Sequence, residues 1–109
     1  MTFDEYQKKS PLTALYPDIR ERFVYPTLGL TNEAGEVAGK VKKIFRDDNG
    51  VVTEKKKKEL EDELGDVLWY LSQLATDLGL SLEKIANQNL EKLKSRLERG
   101  KIGGSGDNR

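Results

Sequence analysis

The regular spacing of apolar residues constrains the fold of this chain more than any other feature of its sequence. Between residues 27 and 98, three segments place apolar residues three or four positions apart, which is typical of one face of an amphipathic helix. Short polar or glycine-containing turns separate the segments, and none shows the sustained alternation of a strand. The sequence therefore predicts an all-α fold, a bundle of four main helices that includes a short one at the N-terminus.

Residues with known capping preferences mark the first two helices. Thr2 and Glu5 form a capping box for the first helix, which we expect Pro11 to end. The second helix is predicted to begin after Pro26, with Thr27 as its N-cap. The proline-containing stretch between them is expected to be irregular, with one helical turn.

The third and fourth helices have equally clear signals. Asn49 and Gly50 predict a turn after the second helix, and Thr53 is the predicted N-cap of the third. Gly79 is expected to end the third helix, and Ser81 to cap the fourth. These signals divide residues 27–98 into three helices joined by short turns.

The length of the chain favours one domain that is completed by a partner. We assign the single all-α domain to residues 1–100 and a polar, glycine-rich tail to residues 101–109. The composition of the tail alone is typical of disorder. A chain of 109 residues buries only about two-thirds of its surface by folding alone, so assembly into an oligomer would help to complete the core.

Charge and residue usage exclude several classes of protein. There are 19 basic and 19 acidic residues, so no net charge favours nucleic acid or a membrane surface as a partner. No apolar run approaches the length of a bilayer span or a signal peptide, and we therefore expect a cytoplasmic protein. The absence of cysteine and histidine excludes disulfides, the usual zinc sites and His-dependent nucleophiles.

Two of the predicted helices repeat the pattern acid-x-glycine-acid, in the stretches LTNEAGEVAG and EDELGDVLWY. On a helical projection Glu33 and Glu63 border the apolar arcs of their helices, and Glu36 and Asp66 lie slightly further round. If the helices pack antiparallel, the four carboxylates converge at one edge of the core. Carboxylates held together repel one another unless they bind protons or a cation, and oxygen ligands suit Mg²⁺ or Mn²⁺.

The same pattern has simpler interpretations. Each acid can be a solvated surface charge. Gly35 and Gly65 can admit a neighbouring helix or a ligand close to the backbone, or they can be ordinary packing residues. A di-iron bundle is excluded because it requires an E-x-x-H motif.

Polar residues beside the apolar arcs are candidates for substrate binding. Lys40 and Tyr70 follow the acidic pairs on the second and third helices. On the fourth helix, Asn89, Lys92 and Arg96 can form a phosphate clamp that faces the carboxylates. Alternatively, the two cations extend past the core into solvent and the amide satisfies a buried carbonyl.

Trp69 and the run Lys55–Lys58 have both a structural and a ligand-binding interpretation. Trp69 lies opposite the apolar arc of its helix, so it is predicted to be exposed in a monomer, as part of a subunit interface or as a base-stacking platform. We interpret the lysine run as a solvated segment at a helix start, in preference to a phosphate-binding one.

Three stretches of the chain, GLTNEAGEVAGKVKK, ELEDELGDVLWYLSQLATDLGLSLEKIANQNLEKLKSR and GSGDNR, resemble the MazG-like nucleoside triphosphate pyrophosphohydrolases of the all-α NTP pyrophosphatase superfamily. The resemblance runs from about Tyr25 to the C-terminus, and its core is E-x-x-E followed by E-x-x-D. It implies Mg²⁺-dependent hydrolysis of ribo- or deoxyribonucleoside triphosphates to monophosphate and pyrophosphate, in nucleotide-pool housekeeping. It also implies a homodimer or homotetramer.

The resemblance assigns roles to individual residues. On this basis we expect a metal-activated water to attack the α-phosphorus, Glu33 or Glu36 to accept its proton, and cationic side chains to balance the triphosphate charge. The implied metal ligands are Glu33, Glu36, Glu63 and Asp66. From their positions on the helices, we expect Lys40, Lys92 and Arg96 to balance phosphate charge, and Tyr70 or Asn89 to contact sugar or base.

Two further points qualify the resemblance. Many relatives carry an additional acid at the position of Asn32, while the GSGDNR tail matches relatives and can order over the site of the same or a neighbouring subunit.

Two other functional classes stay open. One is a non-catalytic sensor or adaptor that binds nucleotide or metal, and the other is a purely structural bundle.

Overall fold

Four α-helices and no β-strand make up the computed structural model, which describes all 109 residues. The all-α prediction is therefore confirmed. None of the helices has the length and apolarity that a bilayer span requires. Helix α1 spans Phe3–Lys9, α2 Val24–Asp47, α3 Glu54–Asp77 and α4 Leu82–Glu98, and a 3-10 turn at Ser10–Thr13 follows α1.

Three of the predicted N-caps are confirmed by their hydrogen bonds. The hydroxyls of Thr2, Thr53 and Ser81 each accept a backbone N–H three residues ahead at 3.1 Å, which satisfies one of the donors that a helix start leaves free. Gly50 and Gly79 have φ angles of 77° and 71°, so the chain leaves α2 and α3 through left-handed residues.

The prediction that α2 begins after Pro26 with Thr27 as its N-cap is wrong. The helix begins at Val24 with Phe23 as the N-cap. Pro26 is tolerated because the N–H groups of the first turn have no acceptor within the helix, so the missing donor costs nothing. The Thr27 hydroxyl donates backwards to the carbonyl of Phe23 at 2.7 Å. The earlier start brings Tyr25 into the helix.

Helices α2 and α3 pack antiparallel, as the convergence of the acids required. Tyr70, in the C-terminal half of α3, lies against Gly29, in the N-terminal half of α2. Further along both helices in opposite directions, Lys40 and Glu59 form an ion pair at 3.9 Å. Helix α3 is the only helix that α2 contacts. Helices α1 and α4 and the 3-10 turn pack against α3, and α1 also contacts α4 and the 3-10 turn.

Polar anchors hold the N-terminal segment against the far end of the bundle. The side chain of Gln7 accepts the N–H of Leu82 and donates to the carbonyl of Leu80, both at 2.8 Å. The hydroxyls of Ser10 and Ser72 lie 3.0 Å apart and are buried. These contacts place the N-terminal segment over α3 and the start of α4.

The prediction that Trp69 is exposed is wrong. Its indole N–H lies 3.2 Å from the carbonyl of Ser10 and 3.1 Å from the hydroxyl of Thr13, which makes Trp69 a donor to the 3-10 turn. The helical projection placed this side of α3 opposite α2, and it could not show that the N-terminal segment returns to cover it.

The core of the single chain is thin. Only eight residues are buried, and the apolar ones among them are Ile44, Ala75 and Leu82, with Pro26. The radius of gyration is 16.8 Å, while a compact domain of this length has one of about 13 Å. A stripe of leucines on α4 remains exposed: Leu90, Leu93 and Leu97, which are 67%, 37% and 66% accessible.

Candidate functional site

Three carboxylates from α2 and α3 meet between the two helices. One oxygen from each of Glu33, Glu63 and Asp66 lies within 4.8 Å of the others, and we call this group the carboxylate cluster. Glu33 follows Gly29 by one helical turn, and Asp66 precedes Tyr70 by one turn. The packing of Tyr70 on Gly29 therefore sets the two acids side by side.

Glu36, the fourth acid of the predicted set, is not part of the carboxylate cluster. It is exposed and does not belong to the three acids whose oxygens approach one another. Its charge nevertheless contributes to raising the pKa of Glu33, so it lies within electrostatic reach of the cluster. The structure thus brings three of the four acids together and leaves Glu36 at the margin.

Burial and like charges both act on Glu33. Its partial burial raises the pKa of the carboxyl group above the usual value, and the negative charges of Asp66 and Glu63 raise it further. A hydrogen bond with Glu63 acts in the same direction. The cluster therefore holds negative charge that a bound cation would neutralise.

The donor set and its spacing fit a hard divalent cation. Oxygens on opposite sides of an octahedral Mg²⁺ are about 4.2 Å apart, because each metal–oxygen bond is about 2.1 Å long. Oxygens that already lie within 4.8 Å of one another need only small side-chain rotations to reach one ion. Carboxylate oxygens also suit Mg²⁺ and Mn²⁺ better than soft metals.

The raised pKa of Glu33 predicts how stability depends on pH without metal. Unfolded, this carboxyl titrates near 4.5, and folded it titrates higher, so the stability it contributes below pH 4.5 is lost as the pH rises through its folded pKa. In EDTA, we expect the melting temperature of the wild type to fall relative to that of Glu33→Gln as the pH rises above 4.5. Melting curves of both proteins measure this.

The control for this experiment is Glu91→Gln, which changes an exposed acid on α4. Its melting temperature should follow the wild type at every pH. A Glu33→Gln variant that also follows the wild type at every pH would show that the cluster carries no repulsion in the folded protein.

A match to the sequence profile of a protein family identifies the family of the chain that carries this cluster. The profile of the MazG nucleotide pyrophosphohydrolase domain matches residues 26–100, which is most of the chain and includes all four acids. The chain belongs to the MazG nucleotide pyrophosphohydrolase family. The match covers α2, α3 and α4, so the carboxylate cluster lies between two helices of the MazG domain.

A curated relative is similar over the full length. The "Gene 37 protein" of Mycobacterium phage L5 is 50% identical over 114 aligned positions, which cover all of both chains. Its name states no activity. No solved structure matches the chain significantly.

Gly35 and Gly65 of the MazG domain do not mark a close approach of two elements. A Cβ atom added to either residue would have no neighbour within 4 Å. Within the chain, the interpretation that they admit a helix is therefore wrong. The glycine that does carry a close contact is Gly29, against the ring of Tyr70.

Tyr70 joins the carboxylate cluster to a group of aromatic rings. Burial is the main cause that raises the pKa of its hydroxyl, and the charges of Glu33 and Asp66 add to the effect. The ring of Trp69 lies 5.0 Å from that of Tyr70, edge to face, and the ring of Tyr25 lies 6.5 Å away. Sequence reasoning missed Tyr25, because it lay in the proline-containing stretch that gave no helical signal.

Lys40 is engaged by a neighbouring acid of the MazG domain. Its ammonium lies 3.9 Å from the carboxylate of Glu59, which Lys56 also approaches at 3.3 Å. Lys40 follows Glu36 by one helical turn. Its predicted role at phosphate stays a prediction.

The three substrate-binding candidates on α4 do not face the carboxylate cluster within one chain. Helix α4 has no contact with α2, and the guanidinium of Arg96 lies 3.0 Å from the carbonyl of Asp107 in the tail. Lys92 and Arg96 both lie 3.4 Å from the Asp107 carboxylate, and Arg96 is only 4% exposed. Asn89 lines an open hollow on α4 beside Lys92. The tail is therefore folded back on α4, although its composition suggested disorder.

Proposed function

We propose that this chain hydrolyses nucleoside triphosphates to nucleoside monophosphate and pyrophosphate, with Mg²⁺ as the cofactor and Mn²⁺ as a substitute. The observation that carries the proposal is the convergence of three carboxylate oxygens within 4.8 Å, between two helices of a chain that belongs to a pyrophosphohydrolase family. Burial and the charges of Asp66 and Glu63 raise the pKa of Glu33, and the like charges support a cation at this place.

Each acid has a proposed role in holding the metal. Glu33, Glu63 and Asp66 would hold one ion, and Glu36, one turn further along α2, would supply a ligand for a second. Bound Mg²⁺ would polarise the triphosphate and lower the pKa of a coordinated water. The chain contributes the fixed spacing of the acids, because α2 and α3 hold them on two rigid helices.

Proton transfer is the second role of the acids. An attack of water on the α-phosphorus releases a proton, and a carboxylate beside the cluster has to accept it. Glu33 is suited to this step because its carboxylate belongs to the cluster, and a carboxylate oxygen that is not bound to metal can accept the proton. Glu36 is the alternative acceptor, since it is exposed at the margin of the same cluster.

The exposed leucines of α4 support a homodimer or a homotetramer. Leu90, Leu93 and Leu97 share one face of the helix, and no element of the chain covers them. Exposed apolar stripes of this kind mark interfaces. A second copy of the same helix would bury them and would complete the thin core of each chain.

Assembly would also give the polar residues of α4 a function. Asn89, Lys92 and Arg96 each precede one leucine of the stripe, so they line its border. In an assembly that buries the stripe, this border lies at the edge of the interface and can face the carboxylate cluster of the other subunit. Phosphate would then compete with Asp107 for Lys92 and Arg96.

The experiment that tests the proposed function is pyrophosphate release from a panel of ribo- and deoxyribonucleoside triphosphates. With Mg²⁺ we expect equal amounts of nucleoside monophosphate and pyrophosphate that increase with time, and with EDTA no release. Release of orthophosphate and nucleoside diphosphate, in place of pyrophosphate and monophosphate, would instead place the attack at the γ-phosphorus. Saturable binding without any release would support the sensor or adaptor.

A further inference from the structure

We propose that a pocket beside the carboxylate cluster holds the nucleobase of the substrate, and that the side-chain amide of Asn32 recognises the hydrogen-bonding edge of the base. This inference rests on the proposed function and extends it to substrate recognition. The pocket, which we call the Asn32 pocket, has a volume of about 230 Å³. Its lining residues are Ile19, Tyr25, Leu28, Gly29, Asn32 and Tyr70.

The position of the pocket relative to the acids fits the layout of a nucleotide. Asn32 directly precedes Glu33. Gly29 lies about one helical turn before these two residues, which is about 5.4 Å along the axis of α2. On α3, Tyr70 follows Asp66 by one turn. A triphosphate bound at the carboxylate cluster therefore places its sugar over this turn and its base at the pocket.

The shape of the pocket is fixed by a close contact between the two helices. A Cβ atom at Gly29 would lie only 2.5 Å from the Cδ1 and Cζ atoms of Tyr70, so the ring occupies the space that a side chain would need. The Tyr70 ring packs directly against α2 and forms one wall of the pocket. Aromatic walls of this kind stack on bases, with a contribution of about 1–3 kcal/mol per base.

The chemistry of the lining favours a base over a phosphate. None of the six lining residues is basic, and the walls are aliphatic or aromatic, with polar groups only on Asn32 and on the hydroxyls of Tyr25 and Tyr70. Pockets for drug-sized ligands have volumes of about 300–1,000 Å³, so a pocket of 230 Å³ suits one small planar part of a larger ligand. The phosphates remain outside it, at the carboxylate cluster.

Asn32 carries the only side-chain amide that lines this pocket. Its neighbours Thr27 and Thr31 donate to carbonyls one turn earlier, whereas Asn32 is exposed and lines the pocket. The amide offers a donor beside an acceptor, and this pattern pairs with base edges that present an acceptor beside a donor.

A larger hollow of about 290 Å³ on the other side of Tyr70 lacks such a group. It is lined by Thr13 and Tyr16, among others, but their hydroxyls are already used. Thr13 accepts the indole N–H of Trp69 at 3.1 Å, and Tyr16 donates to Asp77 at 2.8 Å. This hollow can stack a ring but has no side-chain amide to pair with the edge of a base, so the Asn32 pocket is the better base site.

The test compares Asn32→Ala with the wild type on substrates and ligands that either carry or lack a base. We measure kcat/KM for ATP, GTP, CTP and UTP, and the binding of α,β-methylene analogues of these nucleotides and of inorganic tripolyphosphate with Mg²⁺. For the base edges that Asn32 contacts, we expect Asn32→Ala to lose about 5- to 100-fold in kcat/KM and in analogue binding. Tripolyphosphate binding should be unchanged, and the ranking of the four bases should flatten.

The control is Asn87→Ala, which removes the same amide from an exposed position of α4. It should match the wild type in every assay. An equal loss for tripolyphosphate in Asn32→Ala would overturn the inference, because Asn32 would then act on phosphate or metal. An unchanged ranking of the bases would overturn it as well.

The same assays separate this inference from the proposed function. If the wild type releases no pyrophosphate but binds the analogues with a base preference that Asn32→Ala abolishes, the hydrolysis proposal fails and the pocket stands. If the wild type hydrolyses the nucleotides and Asn32→Ala keeps the full preference, the pocket proposal fails and hydrolysis stands.

Discussion

Asp66→Asn is expected to abolish pyrophosphate release and, without metal, to make the protein more stable. Loss of a residue that only supports a metal ligand typically costs 10- to 100-fold, so loss of a ligand should lower kcat/KM by about 100-fold or more. In EDTA the same change removes one of the three negative charges of the cluster, and the melting temperature should rise by a few degrees. Saturating Mg²⁺ should stabilise the wild type by about 3 kcal/mol at 100 times its dissociation constant, and the variant much less.

The matched control is Asp62→Asn, one turn earlier on the same helix. Asp62 is exposed and pairs with Lys58 at 3.0 Å, and solvent-exposed pairs of this kind contribute little to stability. This variant should keep the wild-type rate and the wild-type response to Mg²⁺. Full activity in Asp66→Asn would refute the assignment of the cluster as the metal site.

Disruption of the leucine stripe should have the second large effect. We expect the wild type to sediment as a dimer or a tetramer and Leu90→Glu/Leu97→Glu to sediment as a monomer. Each substitution places a carboxylate in an apolar contact, and a polar group buried without a partner costs roughly 2–7 kcal/mol. The dissociation constant should therefore rise by at least about 100-fold. Turnover should fall with it if α4 serves the site of the other subunit.

Lys84→Glu is the control for this experiment, because it adds negative charge on the side of α4 that faces away from the stripe. It should leave the sedimentation coefficient and the activity unchanged. A wild type that is monomeric and fully active at micromolar concentration would contradict the proposed assembly.

Local chemistry predicted the helices well where a cap or a turn residue fixes their ends. Thr2, Thr53 and Ser81 were identified as N-caps because a hydroxyl at a helix start has one favoured partner, the N–H three residues ahead. The start of α2 was not predicted, since Pro26 is as acceptable inside the first turn as in front of it. The cover over Trp69 depends on contacts with residues more than fifty positions away, which no local pattern records.

The carboxylate cluster was predictable from the helical pattern of the sequence. A helical projection places Glu33, Glu63 and Asp66 on facing surfaces once α2 and α3 are antiparallel, and the structure brings their oxygens together. The marginal position of Glu36 was not visible, because it depends on the exact register of the two helices. The Asn32 pocket was hidden for a similar reason, since its wall is a side chain of the other helix.

The contacts that join α2 to α3 and those that hold the N-terminal segment differ in the length of chain that each must close. Helices α2 and α3 meet across a short turn, whereas Gln7 and Ser10 bind residues 62 to 75 positions away. Short loops cost less entropy to close, so the α2–α3 hairpin can persist while the N-terminal segment detaches. Hydrogen exchange in the N-terminal segment would then outpace that of the hairpin. The aromatic hollow that Tyr16 helps to line would be the first part of this surface to open, before the acids are separated.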